Sequence, residues 1–349
     1  MISVRSLRLC AILLILLMFY GCAQISYYAQ SMRGQLDIWR REKPIHEVID
    51  DSASPAALRE KLAQVLRIRE YASRELALPE NRSYRRYADL ERPFVVWNVF
   101  ATEEFSMQPK HWCFAVVGCV SYRGYFAKAD AERFAADTIA AGHDVHVGGV
   151  PAYSTLGWFA DPVLNTFINY PPVELARLIF HELAHQVVYV KDDTVFNESF
   201  AVAVERAGVA RWIAHHGGAA EREAFAAMQR RRSDFVQLIQ TYRERLAVLF
   251  RSGAAAETLR AEKKIIYREM QADYQKLKQA WGGFAGYDRW FAQPPNNALL
   301  TSVAIYTQQV PAFEALLKQQ GGDLVKFFAK VKTIAQRPKV ERDAELAVN

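Results

Sequence analysis

Cysteine is scarce in this sequence, with only 4 residues in 349. Cys10 and Cys22 lie in the N-terminal segment, so Cys113 and Cys119 are the only pair in the rest of the chain. A metal site built from cysteine alone needs more thiolates than these two, which excludes that class of site. In an oxidising compartment an even pair is more often a disulfide than two free thiols. We therefore predict a disulfide between Cys113 and Cys119.

The sequence also lacks an excess of charge of one sign. Its 44 basic and 38 acidic residues give a formal charge of +6, and the basic residues form only short clusters such as Arg230 to Arg232. Nucleic-acid-binding domains concentrate basic residues on one face, so we expect no nucleic acid partner. Solvated helix faces or attraction to an anionic membrane explain the charge. With 51% hydrophobic residues the chain can bury a large core, which excludes a disordered protein.

An apolar run comfortably long enough to span a bilayer is missing from the N-terminus, where Leu9 to Tyr20 follows Arg5 and Arg8. The run ends in Gly21-Cys22, which resembles the lipobox of bacterial lipoproteins. This resemblance implies a signal segment over residues 1–21, a lipid anchor on Cys22 and a location in the bacterial cell envelope. By analogy with lipoprotein sorting, Ala23 implies the periplasmic face of the outer membrane. An uncleaved membrane anchor is the alternative.

Periodicity divides the remainder into five regions that we expect to form one compact unit, residues 22–349. Serine and proline at positions 54 and 55 favour a helix start, and Phe94 to Phe100, Phe114 to Val120 and Val145 to Val150 are typical of strands. The predicted regions are N-terminal helices (22–80), a small β-sheet region (85–160), two helices bearing the chemistry (170–218), a helical hairpin (219–281) and C-terminal closing helices (282–349), of which residues 296–332 read as two.

Residues 181 to 185 read His-Glu-Leu-Ala-His, the HExxH pattern. On a helix, His181 and His185 stack one turn apart, so both imidazoles can bind one Zn²⁺ ion. Glu182 is offset from His181 by about 100°, which places it beside the metal. We predict that Glu182 is the catalytic base acting on a zinc-bound water.

Asn197-Glu198-Ser199-Phe200-Ala201 begins twelve residues after His185. This interval suffices to end one helix, turn and bring Glu198 back across from the two histidines. A catalytic zinc site needs three protein ligands and one open position, so we predict Glu198 as the third ligand. The alternative is that Glu198 only stabilises the first turn of its own helix, where a carboxylate is favourable.

HExxH followed by N-E-x-F-A resembles the gluzincin metallopeptidases, including the aminopeptidase N group. Further stretches resemble one bacterial lipoprotein family of that clan, described as predicted aminopeptidases: Arg123-Gly-Tyr-Phe, Gly149 to Phe159, Phe180 to Gln186, and Asn296 to Tyr306. The likeness extends from about Ala23 to Lys332. It implies an α+β, zincin-like fold, predominantly helical, whose cleft lies between the small sheet and the ligand-bearing helices.

The sequence departs from its relatives at two places. Gly149-Val-Pro-Ala-Tyr stands where aminopeptidase N enzymes carry G-A-M-E-N, the motif that binds a free substrate amine. Val202 stands where the thermolysin type has an aspartate that holds a histidine ligand. The sequence therefore does not show exopeptidase specificity, and another residue must orient His181.

A peptidase also needs a donor for the oxyanion of its tetrahedral intermediate. The resemblance implies a tyrosine or histidine from a later helix, and Tyr306 is our candidate, with core packing as its alternative role. Tyr153 is the second candidate. His143 and His146 flank a glycine-rich strand end and fit rim residues better than ligands.

Together these features predict a zinc-dependent peptidase, with aminopeptidase activity implied by the resemblance and a peptide as substrate. A non-catalytic lipoprotein that uses a zincin fold as a binding or scaffolding module of the envelope is the alternative. Glu182 disfavours that alternative, because a purely structural zinc site needs no base.

Overall fold

The computed structural model describes residues 26–114, 118–152 and 154–347, and these residues form a mainly helical α+β structure. The predicted signal segment and Cys22 lie outside the described residues. The N-terminal elements are α1 (26–41), β1 (Lys43–Pro44), α2 (Ile45–Asp50), α3 (Ala56–Arg74) and β2 (Arg86–Ala88). Helix α3 begins one residue after Pro55 rather than at it, because Pro55 has extended backbone and acts as the N-cap.

The strands of the described residues form three small sheets. The strands that follow β2 are β3 (Val96–Glu103), β4 (Trp112–Phe114), β5 (Gly118–Val120), β6 (Arg123–Tyr125), β7 (His143–Val150) and β8 (Val163–Leu164). Strand β3 is the centre of the main sheet, with β6 and β7 antiparallel on either side, and Asn98 lies opposite both Gly124 and Gly148. Strands β1, β2 and β8 form a second sheet.

The sheet region differs from its prediction in two respects. The run from Phe114 to Val120 is not one strand, because β4 and β5 pair antiparallel and place Cys113 opposite Cys119, where the two form a disulfide. In addition, helix α4 (Lys128–Ala140) lies between β6 and β7. Its buried side chains include Ala131 and Ala135, which are too small to give the sequence a clear apolar stripe.

The two helices that carry the predicted chemistry are α6 (Pro172–Ala184) and α7 (Thr194–His216), preceded by α5 (Asn165–Ile168). Helix α6 has proline in its first turn and ends at Ala184, so that His185 is its C-cap. Helix α7 begins after Asp193, whose carboxylate accepts a hydrogen bond from the backbone N–H of Phe196. The two helices pack against each other and bury a shared apolar face.

The C-terminal half contains the predicted hairpin, α8 (Ala219–Phe250) and α9 (Ala256–Ala280), with Gly253 in the turn at positive φ. It continues with α10 (Asp288–Phe291), α11 (Asn297–Thr307), α12 (Val310–Gln319), α13 (Leu324–Ala335) and α14 (Lys339–Glu345). The prediction of two closing helices over residues 296–332 is therefore wrong, because α11, α12 and most of α13 occupy this range. The helical conformation is interrupted before Val310 and again at Gly321 and Gly322, both of which have positive φ.

Helix α11 packs against α7, α8, β3 and β7, and so joins the hairpin to the sheet beside the chemistry-bearing helices. Within the described part of the chain, no helix combines the length and apolarity that crossing a bilayer requires.

Candidate metal centre and cleft

Helices α6 and α7 bring three buried metal-ligating side chains together. His181 lies in the last turn of α6 and His185 caps its end, so their Nε2 atoms lie 3.2 Å apart. Glu198, in the second turn of α7, places Oε2 at 3.3 Å from the Nε2 atom of His181 and 3.6 Å from that of His185. These are the three residues that the sequence proposed as ligands, and together they could hold a metal ion.

The spacing of these atoms fits a tetrahedral ion. Ligands at about 2.0–2.1 Å from a tetrahedral centre lie about 3.3–3.4 Å from one another, close to the three distances observed here. Among the described residues, the buried Oε2 atom of Glu198 has no hydrogen-bond partner. Two imidazoles and one carboxylate are moreover a donor set that Zn²⁺ accepts in catalytic sites.

Glu205 is the residue that holds His181, and the sequence did not identify it. It follows Glu198 by seven residues, about two helical turns, so both carboxylates lie on one face of α7. Its Oε2 atom lies 3.0 Å from Nδ1 of His181 and also accepts from Arg177, at 3.1 Å, while its Oε1 atom accepts from Arg232 on α8. Val202, in the position that thermolysin-type enzymes use, is a buried apolar residue.

Burial and charge set the protonation of these groups. Burial alone would raise the pKa of Glu198, but the imidazoles of His185 and His181 lower it to about 2. Burial also opposes a charge on His181, yet the carboxylates of Glu198 and Glu205 raise its pKa to about 10. Burial opposes ionisation of Glu205 too, but Arg177 and Arg232 lower its pKa. The centre therefore favours a cation among its carboxylates.

Glu182 projects into the same site without belonging to the ligand group. Its side chain is buried, and burial raises its pKa above the ordinary value, although His181 and His185 partly offset this effect. A carboxylate whose pKa is raised binds a proton more readily, which suits a general base.

A cavity of about 850 Å³ opens onto these residues. Its walls come from α1, the main sheet, the segment from Gly149 to Phe159 (hereafter the cleft loop, of which Tyr153 lies outside the described residues), α6, α7 and α11. Most of the lining is apolar, and the volume is in the range of small-molecule and peptide sites, about 300–1,000 Å³.

Two tyrosines line this cavity near the ligands. Tyr306, on α11, is half-buried, and burial followed by the carboxylate of Glu198 raises its pKa well above the ordinary value, so its hydroxyl keeps its proton. Tyr122 packs on Phe100 and is shifted in the same direction by burial and Glu198. Tyr122 was not predicted as a site residue, although it directly precedes the family-like stretch that begins at Arg123.

The other histidines of interest lie outside the ligand group. Nε2 of His143 lies 3.1 Å from Nζ of Lys110, and His146 stacks on Phe100. Burial lowers the pKa of His146 to about 4. Both residues occupy β7 and contribute to the sheet instead of the metal centre.

A buried polar network ties the cleft loop to the end of α6. Asp161 accepts from the backbone N–H of Thr155, at 3.1 Å, and from the side-chain amide of Gln186, at 3.4 Å. The amide of Gln186 also donates to Ser83. Burial raises the pKa of Asp161 to about 7, with a smaller contribution from Glu182. The residue after His185 is thereby connected to the wall of the cleft.

Comparison with protein families supplies one match: residues 26–346 fit the model of a family described as "Putative aminopeptidase". The chain belongs to this family. The match includes all three ligand candidates, Glu182 and Tyr306. Neither the curated proteins nor the solved structures contain a match to this chain.

Proposed function

We propose that this member of the aminopeptidase family is a zinc-dependent peptidase of the gluzincin type with a zincin-like fold, in which His181, His185 and Glu198 hold one Zn²⁺ ion. The near-tetrahedral spacing of their three ligand atoms carries this proposal, and the family match supports peptide hydrolysis. When bound, zinc would supply Lewis acidity toward a water molecule and the scissile carbonyl.

The chain's own residues supply the remaining chemistry. The carboxylate of Glu182 accepts a proton from the attacking water as the water oxygen bonds to the carbonyl carbon. It then donates that proton to the leaving nitrogen as the C–N bond breaks, which regenerates the carboxylate. The hydroxyl of Tyr306 donates a hydrogen bond to the oxygen on which negative charge develops. Aminopeptidase specificity rests on the family description alone.

The deciding experiment separates Glu182 from Glu198, because the proposal gives these carboxylates unlike roles. Glu198→Ala leaves two histidines, so the variant should lose most of its zinc and therefore its activity. Glu182→Gln should keep near-stoichiometric zinc but lose several orders of magnitude in kcat, because an amide cannot accept the proton of water. Zinc content and peptide hydrolysis would be measured on the same preparations.

Two results would count against the assignment. Full activity of Glu182→Gln would refute the mechanism even with zinc present and would return the chain to the class of binding modules. Full zinc content in Glu198→Ala would require a third ligand other than Glu198, and it would not come from His143 or His146, which lie in the sheet. A peptide library tested with and without chelator would define the substrate.

We further propose that a lipid on Cys22 anchors the chain to the bacterial envelope, at the periplasmic face of the outer membrane. The basic residues, the apolar run and the Gly21-Cys22 pair of the N-terminal segment support this proposal.

A further inference from the structure

One side of the molecule exposes five large apolar side chains next to one another. They are Met32 (65% exposed), Leu36 (41%) and Trp39 (38%) on α1, and Trp158 (75%) and Phe159 (49%) on the cleft loop. The rings of Trp39 and Phe159 are in edge contact, with centroids 4.9 Å apart, which joins the two segments. We call these five residues the apolar patch. Exposed apolar surface of this kind marks an interaction site.

The patch is not the face by which α1 packs onto the protein. At about 100° per residue, Met32, Leu36 and Trp39 fall within about 60° of the helix circumference. Gly34 and Ile38 lie roughly 130–170° away from the middle of that stripe. Gly34 faces the ring of Phe126 so closely that no Cβ would fit, and Ile38 is 1% exposed. Helix α1 is thus apolar on two sides, and the body of the protein covers only one of them.

Basic residues flank the exposed stripe. Arg33 and Arg40 are both exposed and lie roughly 70–90° from its middle, on the side away from the buried face. An apolar stripe containing tryptophan and bordered by arginine is typical of a helix that lies in a membrane interface, where aromatic rings sit at headgroup level. Anionic headgroups would attract the arginines.

The position of α1 along the chain agrees with a bilayer. Position 26 lies four residue steps after Cys22, a span of at most about 14 Å, and the six helical steps from position 26 to Met32 advance about 9 Å further. We propose that the apolar patch lies on the surface of a lipid bilayer that contains anionic lipid, an inference that rests on the proposed anchor at Cys22. Trp158 and Phe159 also line the cavity. The mouth of the cleft would therefore open at the membrane surface.

The test uses the full chain reconstituted in vesicles of phosphatidylethanolamine and phosphatidylglycerol, with an environment-sensitive fluorophore on Met32→Cys. The matched control is Val248→Cys on α8, because Val248 is 62% exposed but lies outside the patch. In the processed lipoprotein that the proposal requires, Cys10 is removed and the Cys22 thiol carries lipid, while Cys113 and Cys119 are joined in a disulfide and stay unlabelled without reductant. We expect a blue-shifted probe at position 32 and quenching by brominated lipid at least threefold stronger than at position 248.

Equal quenching at the two positions, with both proteins still sedimenting with the vesicles, would overturn the patch proposal and leave the anchor and the peptidase intact. Failure to sediment would overturn both membrane proposals, whereas zinc-dependent hydrolysis would be unaffected. The patch would be assigned to a second copy of the chain by two results together: the unlabelled Met32→Cys variant forms disulfide-linked pairs, and the labelled variant shows no quenching by lipid. The attraction between the arginines and anionic headgroups is tested by the double variant Arg33→Gln with Arg40→Gln. This variant should show weaker quenching in anionic vesicles and unchanged quenching in purely zwitterionic ones.

Discussion

The fully buried carboxylate of Glu205 has three partners: His181, Arg177 on α6 and Arg232 on α8. It accepts the Nδ1–H of His181 and so directs Nε2 of that histidine toward the metal position. Partners of this kind fix the tautomer and the ring orientation of a histidine ligand.

We therefore expect Glu205→Gln to lower the affinity for zinc by roughly 10- to 100-fold, with a matching loss of activity at limiting metal. Competition with a fluorescent zinc chelator measures this change. Glu174→Gln is the matched control, because Glu174 pairs with Arg177 on the same helix but has no contact with His181. If the two variants bound zinc equally tightly, Glu205 would serve packing alone.

Tyr306 is the residue for which the catalytic and the core-packing role lead to different kinetics. If its hydroxyl stabilises the oxyanion, Tyr306→Phe should lower kcat by roughly a hundredfold or more while zinc content and the unfolding midpoint stay unchanged. Tyr122→Phe is the natural comparison, because Tyr122 lines the same cavity. Activity of Tyr306→Phe within a factor of about three of wild type would assign Tyr306 to packing, and a large loss in Tyr122→Phe would make that residue the donor.

At the scale of elements, the site helices could be predicted and their connections could not. Two helices were predicted over residues 170–218, and α6 and α7 lie within that range. Helix α4 was not predicted, because its buried face consists mainly of alanines and gives no clear apolar stripe. The role of Glu205 could not be predicted, because its partners on α6 and α8 lie 24, 27 and 28 residues away in sequence. Only the packing of the three helices brings these residues together.

Asp161, which accepts a hydrogen bond from Thr155 of the cleft loop, leads to a prediction about pH. The folded protein raises the pKa of Asp161 to about 7, whereas an unfolded chain has a value of about 3.9. The folded state therefore holds this proton more tightly, and the stability it contributes is present below about pH 4 and is lost as the pH rises toward 7.

Asp161→Asn removes this titration. The stability of wild type minus that of the variant should consequently fall by roughly 2 to 3 kcal/mol between pH 5 and pH 8. Urea unfolding with chelator present measures this difference without a contribution from metal binding. Parallel pH profiles for the two proteins would mean that Asp161 titrates near its ordinary value in the folded state.

At the scale of the whole molecule, α1, the first helix of the described residues, forms part of the cavity wall. A lipid on Cys22 would tether the chain within a few residues of Tyr27 and Tyr28, which line the cavity. The proposed anchor would in this way couple attachment to the membrane with access of substrate to the cavity.

The proposed lipid on Cys22 can be tested directly. Metabolic labelling with a palmitate analogue should mark the wild-type protein and should not mark Cys22→Ala, because acylation of a lipoprotein requires that cysteine. Cys10→Ala is the matched control: Cys10 lies within the segment that the proposed processing would remove, so this variant should label like wild type. Labelling of Cys22→Ala at the wild-type level would contradict the anchor. Loss of label in Cys10→Ala alone would instead place the modification in an uncleaved N-terminal segment.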